Sequence, residues 1–166
     1  NENGRIGHQQ LVEKAQQGRI DVYFLGDSIT RRWGALDYPE FLAHWRKSFH
    51  GWNAADFGWG GDSTHNMLWR ITNGEFEGLS PKVIVLLGGT NNIGDKPRPG
   101  AADDTVGGIR ALLDTLQAKA PQATIVLMAV FPRNDNPESN KIVAEVNARI
   151  APFADGKRIR FLNIND

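Results

Sequence analysis

Three short stretches of this sequence contain residue types that suit attack on an acyl carbon. Ser28 lies in a Gly-Asp-Ser turn after an apolar run, Gly61 lies in a glycine-rich turn, and Asn91 follows a Gly-Thr pair. A serine hydroxyl becomes a strong nucleophile when a base takes its proton. Glycine N–H groups and an asparagine amide can donate hydrogen bonds to the oxyanion that develops during acyl transfer. Together, the three residues indicate nucleophilic acyl chemistry.

The elements that would position these residues are apolar runs alternating with helical patterns. Predicted strands cover residues 20–25, 53–57, 83–87, 124–130 and 158–163. Predicted helices cover residues 9–17, 39–49, 103 or 104 to 119, and 140–153, and a further helix capped by Asp62 or Ser63 carries Met67, Leu68 and Ile71. Such alternation is typical of a parallel sheet with right-handed crossovers. We therefore predict an α/β fold, a three-layer α/β/α sandwich with a flavodoxin-like five-stranded parallel sheet in the order 2-1-3-4-5.

This strand order would bring the three polar turns to one crevice. Ligands of open α/β sheets bind beyond the carboxyl ends of the strands, where the strand order reverses. The turns at residues 26–28, 58–62 and 88–92 each follow one of the first three predicted strands. Trp33 and Trp59 would flank the crevice and are candidates for shaping an acyl or sugar pocket.

Composition excludes several other classes of protein. The 166 residues include 19 Lys and Arg and 19 Asp and Glu, so the formal net charge is zero. This balance does not predict the basic patch that nucleic-acid binding requires. We expect no membrane span, because no apolar run approaches the roughly 20 residues required. The absence of cysteine excludes thiol nucleophiles and thiol-bound metals. A secreted or periplasmic mature form and a cytoplasmic form both fit, and the sequence leaves open whether the chain forms a homodimer.

The three turns resemble the conserved blocks of the SGNH (GDSL) hydrolases. Gly26-Asp27-Ser28, Gly60-Gly61-Asp62 and Gly89-Thr90-Asn91-Asn92 occur in the family's order. The stretch from Asn53 to Ile71 also looks like the catalytic subunits of the platelet-activating-factor acetylhydrolases, and the likeness runs from about residue 7 to residue 163.

The resemblance implies a serine esterase that removes short acyl groups, acetyl above all, from a carbohydrate or lipid-like ester. Ser28 would be the nucleophile, and its own N–H, the Gly61 N–H and the Asn91 side chain would hold the oxyanion. Gly61 is favoured over Gly60 because it directly precedes Asp62. The resemblance implies no metal and no organic cofactor, and a small ester as the binding partner.

The sequence lacks the motif that carries the catalytic base in the family. SGNH hydrolases carry a C-terminal Asp-x-x-His block, and none occurs here. Residues 1–166 are therefore expected to be one SGNH hydrolase-like domain truncated at its C-terminus, with the catalytic Asp and His beyond Asp166, itself read as a loop residue. We expect His8, before the first helix, to lie away from the crevice with His44 and His50, and His65 to be a helix-surface residue.

Several alternatives accompany these assignments. Ser28 could simply cap a helix, and Asn91 could simply form a turn. Asp27 is expected to order its own turn and Asp62 to cap a helix, while Arg133 contacts either substrate or solvent. The glycine turn does not fit a dinucleotide loop, because Ser63 occupies the third glycine position. The alternative function is a catalytically incomplete binding or interaction module on the same fold.

Overall fold

The protein is built around one parallel five-stranded sheet. The computed structural model describes residues 2–133 and 136–165. The strands are β1 (Val22–Gly26), β2 (Ala54–Gly58), β3 (Val83–Leu87), β4 (Thr124–Met128) and β5 (Ile159–Leu162). They are paired in parallel in the order β2-β1-β3-β4-β5. The predicted strand order is confirmed.

Seven α-helices connect or precede these strands in the described residues. They are α1 (Glu2–Gln16), α2 (Ser28–Gly34), α3 (Pro39–Phe49), α4 (Thr64–Thr72), α5 (Thr90–Ile93), α6 (Ala101–Lys119) and α7 (Pro137–Ile150), and a 3-10 turn follows at Ala151–Phe153. Two features differ from the prediction. The first helix begins well before residue 9, and two unpredicted helices, α2 and α5, start within the first and third polar turns. These two helices are too short to show a hydrophobic period.

The main core lies on the face of the sheet that α1, α4, α6 and α7 cover. Alternate strand residues point to opposite faces, and on this face Leu25, Ile84, Leu86, Ile125 and Leu127 are almost fully buried. They pack with apolar side chains of those helices in a single cluster. The core thereby fixes the carboxyl ends of β1 and β3, from which the polar turns emerge.

The opposite face carries an aromatic cluster between the sheet and the helices α2 and α3. The ring of Phe24 in β1 lies edge-on to Trp33, Trp45 and Phe49, with centroids 6.0, 4.8 and 5.0 Å away. Edge-to-face packing is favourable because the positive ring edge meets a negative ring face. This cluster anchors α2, the helix that begins at Ser28.

Two absences concern only residues 2–133 and 136–165. None of their helices is both long and apolar enough to cross a membrane. Nor do three or more of their His, Asp or Glu side chains come together in a group that could hold a metal ion.

Candidate active site

Ser28 lies at the junction of β1 and α2, at the carboxyl end of the sheet. Asp27 caps α2, and its carboxylate accepts a 2.8 Å hydrogen bond from the Ile29 N–H. Ser28 is therefore the first residue of the helix, and the alternative that Ser28 itself is the cap is wrong. Asp27 orders its own turn, as predicted. The Ser28 hydroxyl is left without a capping role.

Asp27 is a buried carboxyl with a perturbed pKa. Its side chain is only 1% exposed, and burial raises its pKa to about 6, against the lowering effect of the Ile29 N–H. The nearby Asp62 adds to the rise, because a second negative charge disfavours ionisation. Within the described residues, Asp27 Oδ2 is buried without a hydrogen-bond partner. The charge of Asp27 therefore carries a desolvation cost.

The glycine turn after β2 is tied to the end of β1. The Trp59 N–H donates a 3.0 Å hydrogen bond to the Gly26 carbonyl. Gly61 follows with a φ of +83° and is exposed. Glycine adopts this left-handed conformation at little cost, whereas a residue with a Cβ is strained there. The turn that contains the exposed Gly61 is thus anchored to the strand end that leads to Ser28.

The asparagine turn is tied in turn to the glycine turn. Asn91 lies in α5, and its Nδ2 donates a 2.9 Å hydrogen bond to the Asp62 carbonyl. Asn92 has a different role, because its Oδ1 accepts from the Thr64 N–H and its Nδ2 donates to the Thr64 hydroxyl, both at 2.9 Å. Asn91, the predicted site residue, is exposed on the same edge of the sheet, while Asn92 fastens α5 to the start of α4.

A buried guanidinium connects the first two turns. Arg70, 4% exposed, donates from Nε to the Asp62 carboxylate at 2.7 Å and from Nη1 to Glu75. Its Nη2 bonds to the carbonyls of Gly26 and Phe57 at 3.4 and 3.0 Å. Arg70 therefore contacts the end of β1, the end of β2 and the glycine turn together. Burial raises the pKa of the Asp62 and Glu75 carboxyls, and the charge of Arg70 opposes that rise.

Of the two residues predicted to cap α4, the assignment to Ser63 is confirmed and the assignment to Asp62 is wrong. Ser63 is the N-cap of α4 and forms a capping box with Asn66, so the carboxylate of Asp62 is free to pair with Arg70. The pairing was missed because arginine within a helix is usually solvated. One signal could have found it, since Arg70 shares a helix face with the apolar Met67 and Ile71.

His8 lies closer to the glycine turn than predicted. It belongs to α1 rather than preceding it, and its Nδ1 lies 2.8 Å from a carboxylate oxygen of Glu75. His8 lines a cavity of about 490 Å³ together with Gly60 and Gly61. The expectation that His8 precedes the first helix is therefore wrong, although the cavity that His8 lines includes neither Ser28 nor Asn91. The reason is the early start of α1, which carries this residue across the end of β2.

The other histidines have neighbours elsewhere. The Trp33 Nε1–H donates a 3.1 Å hydrogen bond to His44 Nδ1. His65 is largely exposed on α4 with its Nε2 3.7 Å from Asp104, as expected for a surface residue. Within the described ranges, no histidine forms a hydrogen bond with the Ser28 hydroxyl.

Two neighbouring cavities adjoin α2. One, of about 290 Å³, is lined by Ser28, Arg31, Arg32, Tyr38, Trp59 and Gly60. The other, of about 490 Å³, is lined by Ile29, Arg32, Trp33, Glu40, Phe41 and His44. Trp59 thus lines the first of these cavities and Trp33 the second. Arg133 contacts Thr90, with Nη1 donating 3.0 Å hydrogen bonds to its carbonyl and hydroxyl, so it braces the asparagine turn.

Solved structures of other proteins share this fold. Two solved structures superpose well: a Streptococcus pneumoniae protein named as a platelet activating factor, and a carbohydrate esterase of family 3 from Talaromyces cellulolyticus. The first has a TM-score of 0.78 at 19% identity, over 98% of this chain and 75% of its own. The second has a TM-score of 0.60 at 18% identity, over 87% and 78%. At these identities the likeness establishes the fold.

Sequence similarity establishes the family. The alpha1 subunit of the bovine (Bos taurus) platelet-activating factor acetylhydrolase IB is 34% identical over 160 residues, which is 94% of this chain. The chain spans 63% of the length of that relative. The profile of the GDSL-like lipase/acylhydrolase family matches residues 24–166, including all three polar turns. The chain belongs to the GDSL-like lipase/acylhydrolase family.

Proposed function

We propose that the chain is a serine esterase that removes short acyl groups, acetyl above all, through an acyl-enzyme on Ser28. The observation that carries the proposal is the hydrogen bond from Asn91 Nδ2 to the Asp62 carbonyl. It ties Asn91 to the residue that directly follows Gly61, and the cavity that Ser28 lines also includes Trp59 and Gly60 of the same glycine turn. An oxyanion site needs donors that are already oriented before the charge develops.

In the proposed first half-reaction, Ser28 Oγ attacks the carbonyl carbon of the ester and gives its proton to a base. The carbonyl oxygen becomes an oxyanion, which the N–H groups of Ser28 and Gly61 and the Asn91 amide stabilise. One N–H of Asn91 is engaged by the Asp62 carbonyl, and the second is left to donate. The C–O bond of the ester then breaks, and the leaving alcohol takes the proton from the base.

In the second half-reaction, water attacks the acyl group on Ser28 and gives a proton to the same base. The oxyanion collapses, the acid leaves, and Ser28 recovers its proton. The family pattern assigns the base to a histidine, and none of the four described histidines bonds to Ser28. Without such a base, a serine remains a weak nucleophile. Measuring the rate of ester hydrolysis is therefore the most direct test of the proposal.

The proposed substrate is a small acetyl ester of a carbohydrate or lipid-like alcohol. Two named proteins support this class, an acetylhydrolase subunit among the relatives and a carbohydrate esterase among the structural neighbours. Acyl length can be measured directly by comparing p-nitrophenyl acetate with p-nitrophenyl decanoate. The acetate is expected to give the higher kcat/KM, and a preference for the decanoate would contradict the acyl assignment.

The decisive experiment treats the protein with a fluorophosphonate and follows its denatured mass and its peptide map. A single adduct on Ser28 is expected, together with hydrolysis of p-nitrophenyl acetate, and both should be lost in Ser28→Ala. Ser80→Ala, at an exposed loop serine, is the matched control and should retain both. An adduct on another serine, or hydrolysis that persists in Ser28→Ala, would overturn the assignment of the nucleophile.

A second candidate is a catalytically incomplete binding module on the same fold. The absence of a histidine bonded to Ser28 among the described residues favours it. Under this alternative, the protein would bind an ester in the Ser28 cavity without hydrolysing it, and the fluorophosphonate would give no adduct. Adduct formation on Ser28 with measurable turnover would exclude the module.

A further inference from the structure

Two arginines share a helix face with Ser28. In an α-helix, residues three and four apart are neighbours on the surface. Ser28, Arg31 and Arg32 stand in this relation along α2 (Ser28–Gly34). All three line the same cavity of about 290 Å³ beside the glycine turn. The same cavity is therefore bordered by the proposed nucleophile and by two arginines of one helix.

The charges around this cavity do not cancel. Arg31 Nη2 lies 3.3 Å from the carboxylate of Asp37, which offsets its charge. Arg32 lies over the ring of Tyr38, 5.6 Å from the centroid, and among the described residues it has no carboxylate within ion-pair distance. Arg32 lowers the pKa of Asp27 through space, but that carboxyl is buried beneath the turn and does not line the cavity. The guanidinium of Arg32 is therefore available to interact with a ligand in this cavity.

We propose that this cavity binds a negatively charged group of the substrate, a carboxylate or a phosphoryl oxyanion, next to the scissile ester. The proposal rests on the function proposed for Ser28 and narrows its substrate class to acetyl esters that carry an anion. The planar fork of an arginine matches the two oxygens of either anion. The single uncompensated charge of Arg32 favours a monoanion, and the Tyr38 ring beside it restricts where the guanidinium can move.

Binding can be tested independently of catalysis with amide analogues, which are not cleaved as esters are. The probes are 4-acetamidobenzoate, its neutral primary amide 4-acetamidobenzamide and 4-acetamidophenyl phosphate, measured by calorimetry at low and moderate salt. The acid should bind about 10- to 150-fold more tightly than the primary amide, since a hydrogen bond to a charged group contributes about 1.5–3 kcal/mol. This preference should fall in Arg32→Gln and, less strongly, in Arg31→Gln.

The matched control is Arg46→Gln, an exposed arginine on α3 that lines neither cavity beside α2. It removes the same charge and should keep the full preference. Tight binding of the carboxylate alone or of the phosphate alone would each support the proposal and would name the anion. Equal affinities for the acid and the primary amide, or a preference for the acid that survives in the double variant Arg31→Gln/Arg32→Gln, would overturn it.

The esters 4-acetoxybenzoate and methyl 4-acetoxybenzoate separate this proposal from the one on which it rests. If Ser28 hydrolyses both at equal kcat/KM in the wild type and in Arg32→Gln, the esterase stands and the anion subsite fails. If the amide acid binds through Arg32 while neither ester is hydrolysed, the subsite stands and the esterase fails.

Discussion

The side-chain amide of Asn91 donates a 2.9 Å hydrogen bond to the main-chain carbonyl of Asp62, the residue directly after Gly61. This bond joins the turn that follows β3 to the turn that follows β2 across β1, which lies between those strands. Because an amide nitrogen carries two hydrogens, the contact orients Asn91 and leaves one donor free. The same bond thus fixes the position of Asn91 and of the carbonyl that follows Gly61.

Replacing Asn91 by alanine should therefore reduce catalysis far more than stability. Loss of one oxyanion donor typically costs about 100- to 1,000-fold in kcat. The unfolding free energy should fall by only about 1 kcal/mol, because the side chain is exposed and makes one neutral hydrogen bond. Steady-state hydrolysis of p-nitrophenyl acetate and urea unfolding measure the two effects.

Asn92→Ala is the neighbouring control with the opposite expectation. It removes both bonds to Thr64, whose side chain is fully buried, and leaves the Thr64 N–H without an acceptor. An unsatisfied buried donor costs about 1–3 kcal/mol. A larger kcat loss in Asn92→Ala than in Asn91→Ala would reverse the assignment of the two residues.

Arg70→Leu should be strongly destabilising. It leaves the buried carboxyls of Asp62 and Glu75 without their cation, and breaking a buried pair in this way costs about 3–5 kcal/mol. It also frees the carbonyls at the ends of β1 and β2. Urea unfolding should show a much larger loss than in Arg149→Ala, whose bonds to Asp103 and Glu145 are exposed. Equal losses would show that the buried network adds nothing.

Much of this arrangement was predictable from the sequence, because it depends on local patterns. Buried parallel strands read as apolar runs, such as residues 83–87, and turn residues directly after them mark the carboxyl edge. These two rules are enough to predict the strands and to place Ser28, Gly61 and Asn91 at one edge of a parallel sheet, whereas the strand order comes from the flavodoxin-like architecture.

The contacts behind that edge were not predictable, because they depend on long-range geometry. Arg70 reaches the Gly26 carbonyl 44 positions away, and His8 reaches Glu75 67 positions away. A polar residue on an apolar helix face, such as Arg70 beside Met67 and Ile71, indicates burial but does not identify its distant partners. Short helices that follow turns, as α2 follows Asp27, also escape periodicity because they contain less than two full turns.

Asp27 should make the protein less stable as the pH rises. Its folded pKa of about 6 lies above the model-peptide value near 3.9, so the folded state binds the proton more tightly than the unfolded state. The contribution of Asp27 to the unfolding free energy is therefore fully present below about pH 4. It decreases by about 3 kcal/mol in total as the pH rises from 4 to above 6. Asp27→Asn keeps the acceptor for the Ile29 N–H but cannot ionise. The wild type should therefore lose stability relative to Asp27→Asn between pH 4 and 7, as measured by urea unfolding at each pH. If the unfolding free energies of the two proteins change in parallel with pH, the raised pKa of Asp27 is contradicted.

Two adjacent glycines of α6 should respond in opposite directions to the same change. A Cβ on Gly108 would lie 2.0 Å from the Thr64 hydroxyl oxygen and 2.7 Å from its Cβ, whereas a Cβ on Gly107 meets no other atom within 4 Å. Gly107→Ala should raise the unfolding free energy by about 0.5–1 kcal/mol, because alanine is the better helix former. Gly108→Ala should lower it by about 1–3 kcal/mol through overpacking. The displaced Thr64 would also lose its hydrogen bonds to Asn92. Urea unfolding measures both variants, and an equal increase in unfolding free energy in the two would disprove the close packing of α6 against α4.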